Sequence, residues 1–125
     1  MNIPPFIQAR IERCVAGLEG PAYPIDEEAR THGAIALMGT IGAIWGLRAD
    51  GSVWHFDEDW GLPLSPLPNE LELQALVFGV DRHPWLQELL PVRSANARNC
   101  SHCAGRGRLA EVSICPICHG LGWVP

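Results

Sequence analysis

The 125-residue chain contains no lysine, so all nine of its basic residues are arginine. It also lacks an apolar run long enough to cross a bilayer, since the longest weakly polar stretch, residues 33–47, covers 15 residues and a membrane helix needs roughly 20. No glycine-rich segment has the spacing of a Walker or Rossmann phosphate loop, because the glycine pairs follow cysteines instead of a strand. We therefore expect neither a membrane span nor a phosphate loop of these two types.

The first ten residues, MNIPPFIQAR, lack the basic segment and the apolar segment of a secretion signal. We therefore expect a cytoplasmic protein in a reducing compartment, where thiols stay reduced. The composition, 47% apolar and 18% charged, is that of a globular protein. A length of 125 residues suits one compact domain, or one domain with a small appendage.

The most specific pattern is an eight-residue segment, Cys-x-x-Cys-x-Gly-x-Gly, which occurs at residues 100–107 and again at 115–122. Two Cys-x-x-Cys pairs offer four thiolates, and a structural Zn²⁺ prefers four such ligands in a tetrahedron. Glycine allows a tight turn with positive φ after each second cysteine, which points backbone N–H groups at the sulfurs. The predicted ligands are Cys100, Cys103, Cys115 and Cys118, and the predicted turn glycines are Gly105, Gly107, Gly120 and Gly122.

Two disulfides are the alternative use of these cysteines. The expected reducing compartment favours one structural Zn²⁺ instead. A catalytic zinc needs an open coordination position, which four thiolates do not leave. We expect His102 and His119, inside the repeats, to lie at the rim of the site. The fifth cysteine, Cys14, lies on the apolar face of a predicted helix and is expected to be a small buried residue.

The paired repeats resemble the cysteine-rich zinc region of DnaJ-type co-chaperones, in which four such repeats form two zinc centres. With two repeats, this chain resembles half of that region, as in anti-TRAP and BSD2-like proteins. The resemblance covers about a fifth of the chain and implies that its four cysteines ligate zinc and its four glycines occupy the turn positions. The chain has no His-Pro-Asp triplet, because the His-Pro pair at His83 continues into Trp85, so partnership with an Hsp70-type chaperone is not implied.

Residues 1–92 are expected to form an α+β body. Apolar residues at helical spacing predict an amphipathic helix from residue 6 to about Gly17 or Gly20. Three apolar runs, at 34–39, 40–47 and 52–57, predict an antiparallel β-meander, and an Asp-Gly pair predicts the hairpin between the last two. Alternation in the last run places Val53 with His55 on one face and Trp54 with Phe56 on the other.

The remainder of the body is expected to be helical apart from a proline-rich segment. That segment, residues 61–68, has three prolines and is predicted to have no regular structure. Helices are predicted for Asn69–Phe78, ended by Gly79, and for Trp85–Leu90, with Pro84 in the first turn. Asp26 is expected to cap a short helix through Arg30, and His32 and His83 are expected to be caps or surface groups.

The predicted architecture is thus a small antiparallel β-meander packed with helices, plus a C-terminal zinc-knuckle β-hairpin. Residues 1–92 form the body, 93–99 a linker and 100–125 the knuckle. A hairpin ending in the strand DGSVWHFD, followed by a loop and a terminal helix, is similar to the second half of SUKH-type immunity proteins.

The two parts differ in charge. Residues 1–92 carry five arginines and thirteen acidic residues, a net of −8, whereas residues 93–125 carry four arginines and one glutamate, a net of +3. This division suits a contact between the two parts, or partners of complementary charge. The leading hypothesis is a zinc-stabilised protein-binding module, a bacterial adaptor, inhibitor or immunity-like protein and not an enzyme. The predicted binding residues are Arg106, Arg108, Trp123, Asp57, Glu58 and Asp59.

Two other functions remain open at this point. The first is nucleic-acid binding through the C-terminal arginines Arg93, Arg98, Arg106 and Arg108. The second is hydrolysis by an acid–base cluster that contains His55, Asp57 and Asp59. A run of acidic residues after a strand is usually a solvated turn, which favours the binding hypothesis. The sequence carries no signal for an oligomeric state.

Overall fold

The computed structural model describes residues 3–57, 62–66, 69–110 and 113–125. Within these ranges the chain has the predicted α+β class. Its elements, in chain order, are α1 (Pro5–Val15), α2 (Pro24–Thr31), β1 (Ala34–Thr40), β2 (Ala43–Arg48), β3 (Val53–Asp57), β4 (Leu62–Pro66), α3 (Asn69–Arg82), a 3₁₀ helix (Pro84–Leu89), β5 (Arg98–Asn99), β6 (Arg108–Ala110), β7 (Ser113–Ile114) and β8 (Trp123–Val124). No helix in the described part of the chain is both long and apolar enough to span a membrane.

The body contains a four-stranded antiparallel sheet in the order β1-β2-β3-β4. Its β2–β3 hairpin turns at the predicted Asp-Gly pair, where Gly51 has a φ of +87° and the N–H of Arg48 donates to the carbonyl of Ser52 at 3.0 Å. Positive φ costs glycine little, so this turn connects the two strands without strain. The predicted meander is therefore confirmed, and the sheet has one strand more than predicted.

The extra strand, β4, lies in the proline-rich segment for which the sequence predicted no regular structure, and that prediction was wrong. β4 pairs with β3 at the edge of the sheet, and the register shifts between Trp54 and Phe56 of β3. A proline has no N–H to donate, and a central strand uses the N–H groups on both of its sides for pairing. An edge strand has one neighbour, so a proline is tolerated where the missing N–H would point away from that neighbour. The prolines therefore restrict this strand to an edge of the sheet but do not prevent it from forming.

β1 lies at one edge of the sheet, but side chains on both of its faces are buried. Ile35 and Leu37 pack in the main core against α1, α3 and the 3₁₀ helix. Ala36 faces the other way and packs with Ile44 and with Ala29 of α2. The fully buried members of the main core are Ile7, Ile11, Cys14, Ile35, Leu37, Leu47, Val53, Ala75, Leu76 and Leu86. Cys14 is thus a core residue, as expected.

α3 continues past the glycine that was predicted to end it. A Cβ on Gly79 would lie 2.5 Å from Cδ2 of Leu37 and 3.1 Å from Cδ1 of Leu86. Glycine at this position lets the helix approach β1 and the 3₁₀ helix more closely than any other residue allows. The predicted end was wrong because close packing, and not helix termination, requires this glycine.

The helix boundaries near α2 also differ from the prediction. Tyr23, and not Asp26, is the N-cap residue of α2, and Asp26 in the first turn accepts the backbone N–H of Tyr23 at 3.1 Å. The same carboxylate binds the guanidinium of Arg82 at 2.5 Å, which connects α2 to the end of α3. His83 is buried, so it is not a surface group, but it is the N-cap residue of the 3₁₀ helix, and His32 is the C-cap residue of α2. Both histidines are therefore helix caps, one of the two predicted roles. The helix predicted after His83 is a 3₁₀ helix.

Candidate metal centre

The four cysteines of the two repeats come together in the folded chain. Their Sγ atoms all lie within 4.8 Å of one another. The separations are 3.8 Å between Cys100 and Cys115 and 3.8 Å between Cys103 and Cys118. A disulfide needs about 2.05 Å, and all four thiols are free and buried. The cluster could therefore hold one metal ion, and the disulfide alternative does not apply.

The two repeats are related by an approximate two-fold arrangement. The N–H of Cys100 donates to the carbonyl of Gly122, and the N–H of Cys115 donates to the carbonyl of Gly107, each at 3.0 Å. Each repeat therefore fixes the first cysteine of the other. Short strand pairs flank the cluster, since β5 pairs with β8 and β6 pairs with β7.

Backbone N–H groups donate to two of the sulfurs. The N–H of Gly107 donates to Sγ of Cys103, and the N–H of Gly122 donates to Sγ of Cys118, each at 3.2 Å. Hydrogen bonds of this kind stabilise a thiolate and orient it toward a bound ion. The same contact occurs at equivalent positions in both repeats, so the second glycine of each repeat is a donor to the second cysteine.

The backbone conformations of the four repeat glycines explain why these positions require glycine. All four have positive φ, between +78° and +92°. A Cβ on Gly107 would overlap the carbonyl oxygen of Gly120, and a Cβ on Gly122 would lie 2.6 Å from the carbonyl oxygen of Gly105. The repeats approach each other backbone to backbone at these two positions, which leaves no room for a side chain.

Burial and hydrogen bonding act on the thiols in opposite directions. Burial raises the pKa of Cys103, but hydrogen bonds from the N–H of Gly107 and from the neighbouring thiols outweigh it and lower the pKa to about 7. Burial raises the pKa of Cys118 to about 11. The two shifts have opposite signs because Sγ of Cys103 and Sγ of Cys118 share a hydrogen bond, which favours the thiolate of Cys103 while Cys118 keeps its proton.

The knuckle, residues 100–125, packs against the C-terminal half of α3. Gly120 lies against Val77, where an added Cβ would come within 3.0 Å of Cγ1. Arg108 donates to the carboxylate of Asp81 at 2.6 Å, and its guanidinium lies 5.0 Å from the ring centroid of Phe78. The charge division of the chain therefore serves, in part, an internal contact. The charges of the two parts predicted such a contact, but no sequence pattern identified α3 as its surface.

Two adjoining cavities, of about 240 and 360 Å³, lie between the knuckle, α3 and the residues from 87 to 93. Together we call them the Trp123 cleft, because Trp123 lines both. Arg106 and Arg108 line the first cavity and Arg93 lines the second. Three of the six predicted binding residues, Arg106, Arg108 and Trp123, therefore share one wall.

The predicted acidic residues cannot be placed in the same way. Glu58, Asp59 and the side chain of Asp57 lie outside the described residues. His55, the remaining member of the predicted acid–base cluster, lies on the sheet, edge-to-face with Trp45 at 6.3 Å between ring centroids.

The other candidate residues of the knuckle are dispersed. Arg98 lines a separate cavity of about 160 Å³ with Ile117 and Val124, away from the other three C-terminal arginines. His102 is exposed, as expected of a rim residue, whereas His119 is half-buried and its Nδ1 has no hydrogen-bond partner among the described residues. Neither histidine belongs to the cluster of four thiols.

Comparisons of the chain with family models, with curated proteins and with solved structures gave no match.

Proposed function

We propose that this chain is a zinc-stabilised protein-binding module and not an enzyme. Zinc suits the cluster because a tetrahedral ion with Zn–S bonds of about 2.3 Å places its sulfurs about 3.8 Å apart. Two of the six sulfur separations, Cys100 to Cys115 and Cys103 to Cys118, equal that value at 3.8 Å, and all six lie within 4.8 Å. Four thiolates are also the soft ligand set that zinc prefers. The two-repeat pattern and its reciprocal geometry support the resemblance to half of a DnaJ-type zinc region.

The role of this zinc is structural. Four protein ligands complete a tetrahedron, so no position is left for a substrate or an activated water. The hydrogen bonds from Gly107 and Gly122 disperse the negative charge of the thiolates. The ion therefore holds the two repeats together and fixes the surface that they present.

The observation that carries the binding function is the Trp123 cleft. Its walls come from both parts of the chain: Trp123 and Arg106 from the knuckle, Leu90 and Pro91 from the end of the body. Tryptophan and arginine are enriched among the residues that dominate binding energy at protein interfaces. A cleft of this composition supports protein binding, and we propose that the chain is an adaptor, inhibitor or immunity-like protein. Its free thiols suit the reducing cytoplasm that the sequence predicts.

The test is capture of a partner by the full-length, zinc-loaded chain. The immobilised chain is exposed to nuclease-treated lysate of the organism that encodes it, the captured protein is identified, and the purified pair is titrated by calorimetry. We expect a 1:1 or symmetric complex that is lost in Cys115→Ser. Capture that occurs in untreated lysate but not in the nuclease-treated lysate, or a purified pair that binds equally well with Cys115→Ser, would overturn the proposal.

A further inference from the structure

We propose that the Trp123 cleft binds a short acidic peptide segment of a partner protein, with an apolar side chain against Trp123 and carboxylates at Arg106 and Arg93. This inference rests on the proposed function and names the chemistry of the partner. It follows from the shape, the apolar lining and the charge of the cleft.

The shape of the cleft suits an extended segment. Its two cavities share the lining residues Gln87, Leu90, Pro91 and Trp123, so they form one continuous path between the knuckle and the body. Arg106 lies along the first cavity and Arg93 along the second. A ligand that contacts both arginines must therefore pass Trp123, which a short peptide can do.

The lining provides for both the side chains and the backbone of such a peptide. Trp123, Leu90 and Pro91 form an apolar surface at the centre, where a leucine or aromatic side chain would be removed from water. Gln87 is exposed and lines both cavities, and its amide offers a donor and an acceptor to a peptide backbone.

The charge of the cleft selects an acidic ligand. Arg106 and Arg93 are exposed, and neither takes part in the ion pairs formed among the described residues. Arg108 differs from them, because it is bound to Asp81. The charged lining residues are Arg93, Arg106, Arg108, Asp81 and Glu88, a net of +1 on a chain of net −5. Two arginines are thus left to bind carboxylates.

The same charges make nucleic acid a poorer ligand. Affinity for nucleic acid depends on the number of phosphates that basic residues neutralise. Arg108 is paired with Asp81 and Arg98 lines another cavity, so only Arg93 and Arg106 in the cleft are left to neutralise phosphates. The apolar centre around Trp123 has no counterpart in a phosphate backbone.

The probe is a phage-displayed library of random octapeptides, selected against the full-length, zinc-loaded chain. We expect enrichment of peptides with Asp or Glu on one or both sides of a Leu, Ile, Phe or Trp. An enriched peptide is then synthesised with a fluorophore and titrated by fluorescence anisotropy. Arg106→Glu and Arg93→Glu should each weaken its binding about five-fold or more, the loss expected from one ion pair of about 1 kcal/mol.

Arg98→Glu is the matched control, since Arg98 is an exposed arginine of the same segment that lines a different cavity. It should leave peptide affinity within about two-fold of the unaltered chain. Trp123→Phe keeps an aromatic ring but removes the indole N–H, so its NMR spectrum identifies the indole N–H signal of Trp123 in the unaltered chain. That signal should shift when the peptide binds to the unaltered chain. Zinc content and circular dichroism of each variant confirm that the fold is retained.

Four results would overturn the inference. Two belong to the selection: no enrichment above the unselected library, or enrichment of basic or uncharged peptides. Two belong to the titration: equal weakening by Arg98→Glu and Arg106→Glu, or displacement of the peptide by a single-stranded oligonucleotide at 0.15 M salt with the same dependence on Arg106. The proposed function can survive these results. A purified partner protein that binds in a zinc-dependent way but ignores both Arg106→Glu and Arg93→Glu would refute the acidic peptide and leave the protein-binding module intact.

Discussion

The body and the knuckle are stabilised by different means. The body buries ten residues in one main hydrophobic cluster, with further apolar residues packed around it. The buried cluster of the knuckle consists of its four cysteines, with Val124 packed against them. Two of its larger apolar residues, Leu109 and Ile117, are 50% and 58% exposed. A segment this short cannot bury a sufficient core, so we expect a metal ion at the four thiols to stabilise it instead.

The largest effect should come from removing one ligand of the knuckle. In Cys115→Ser we expect complete loss of the bound ion and disorder of residues 98–124, because apparent zinc binding contributes about 10–16 kcal/mol to folding in zinc-finger peptides. Hydrogen-exchange protection in the body should persist, because the main core contains no residue of the knuckle. Metal analysis and hydrogen exchange measure the two effects.

Cys14→Ala is the matched control for that experiment. Cys14 is also a buried cysteine, but it belongs to the core of the body. Its variant should keep one ion per chain and show a lower stability of the body. If Cys115→Ser retained the ion, or removed protection from the body as completely as from the knuckle, the division between the two parts would be wrong.

The next largest effect should come from a cavity in the body. Leu86 is fully buried in the main core. Leu86→Ala should lower the free energy of unfolding by about 2–5 kcal/mol, since it loses buried apolar surface and leaves a cavity. Urea unfolding monitored by circular dichroism measures the change. Metal content should stay at one ion per chain, and a variant that lost its ion would show that the knuckle needs an intact body.

A smaller effect, which depends on pH, is expected from His83. Burial lowers the pKa of its imidazole, which the nearby carboxylate of Asp26 opposes. The unfolded chain takes up a proton near pH 6.5, whereas the folded chain resists it. The contribution of His83 to the free energy of unfolding should therefore be constant above that pH and decrease below it, by at most about 1.4 kcal/mol per pH unit. Above pH 6.5 neither state is protonated, so this histidine contributes no slope there.

The measurement compares Cys115→Ser with Cys115→Ser/His83→Gln in urea between pH 5 and 7.5. Removing the metal site first matters, because ligand thiolates also take up protons as pH falls and would add their own slope. The second variant should show a flatter decline below pH 6.5. Identical slopes in the two variants would rule out His83 as the source.

The smallest effect should come from the contact that joins the two parts. The carboxylate of Asp81 is 60% exposed and its partner Arg108 is 29% exposed. A double-mutant cycle with Asp81→Asn and Arg108→Gln should give a coupling energy of about 0.2–1 kcal/mol, because water screens exposed ion pairs. Metal-loaded protein is compared by thermal unfolding at 0.05 and 0.5 M salt, and the coupling should shrink at the higher value. A coupling above 2 kcal/mol would contradict this screening, because exposed ion pairs contribute about 1 kcal/mol or less.

The sequence predicted the parts of the fold that local chemistry decides. The Asp-Gly turn and the alternation of β3 located the meander, and the cysteine spacing located the metal ligands. Where the sequence was misleading, tertiary packing had overridden a local rule. Gly79 has the residue type of a helix end but is required by its contacts with Leu37 and Leu86. The proline-rich segment forms β4 because the sheet has an edge there to pair with.

The candidate binding site shows the same limit. The four cysteines that could hold a metal ion lie within 19 residues of sequence, so their spacing alone identified them. The cleft depends instead on how residues 77–91 and the knuckle pack together, which involves contacts between residues 27 to 43 positions apart, such as Arg108 with Asp81 and Gly120 with Val77. No local pattern encodes such contacts. Charge indicated that the two parts attract each other, but it did not indicate which helix provides the surface.

The reciprocal hydrogen bonds between the repeats make each repeat half of a self-complementary unit. Each repeat supplies two cysteine thiols, one N–H donor and one carbonyl acceptor, so two hydrogen bonds join the repeats, one in each direction. Two copies of a single repeat would present identical groups about a true two-fold axis, as in an isologous dimer. The knuckle thus has the geometry of a two-fold dimer within one chain, with a candidate metal site between its halves. A protein with only one such repeat could assemble by sharing an ion between two subunits.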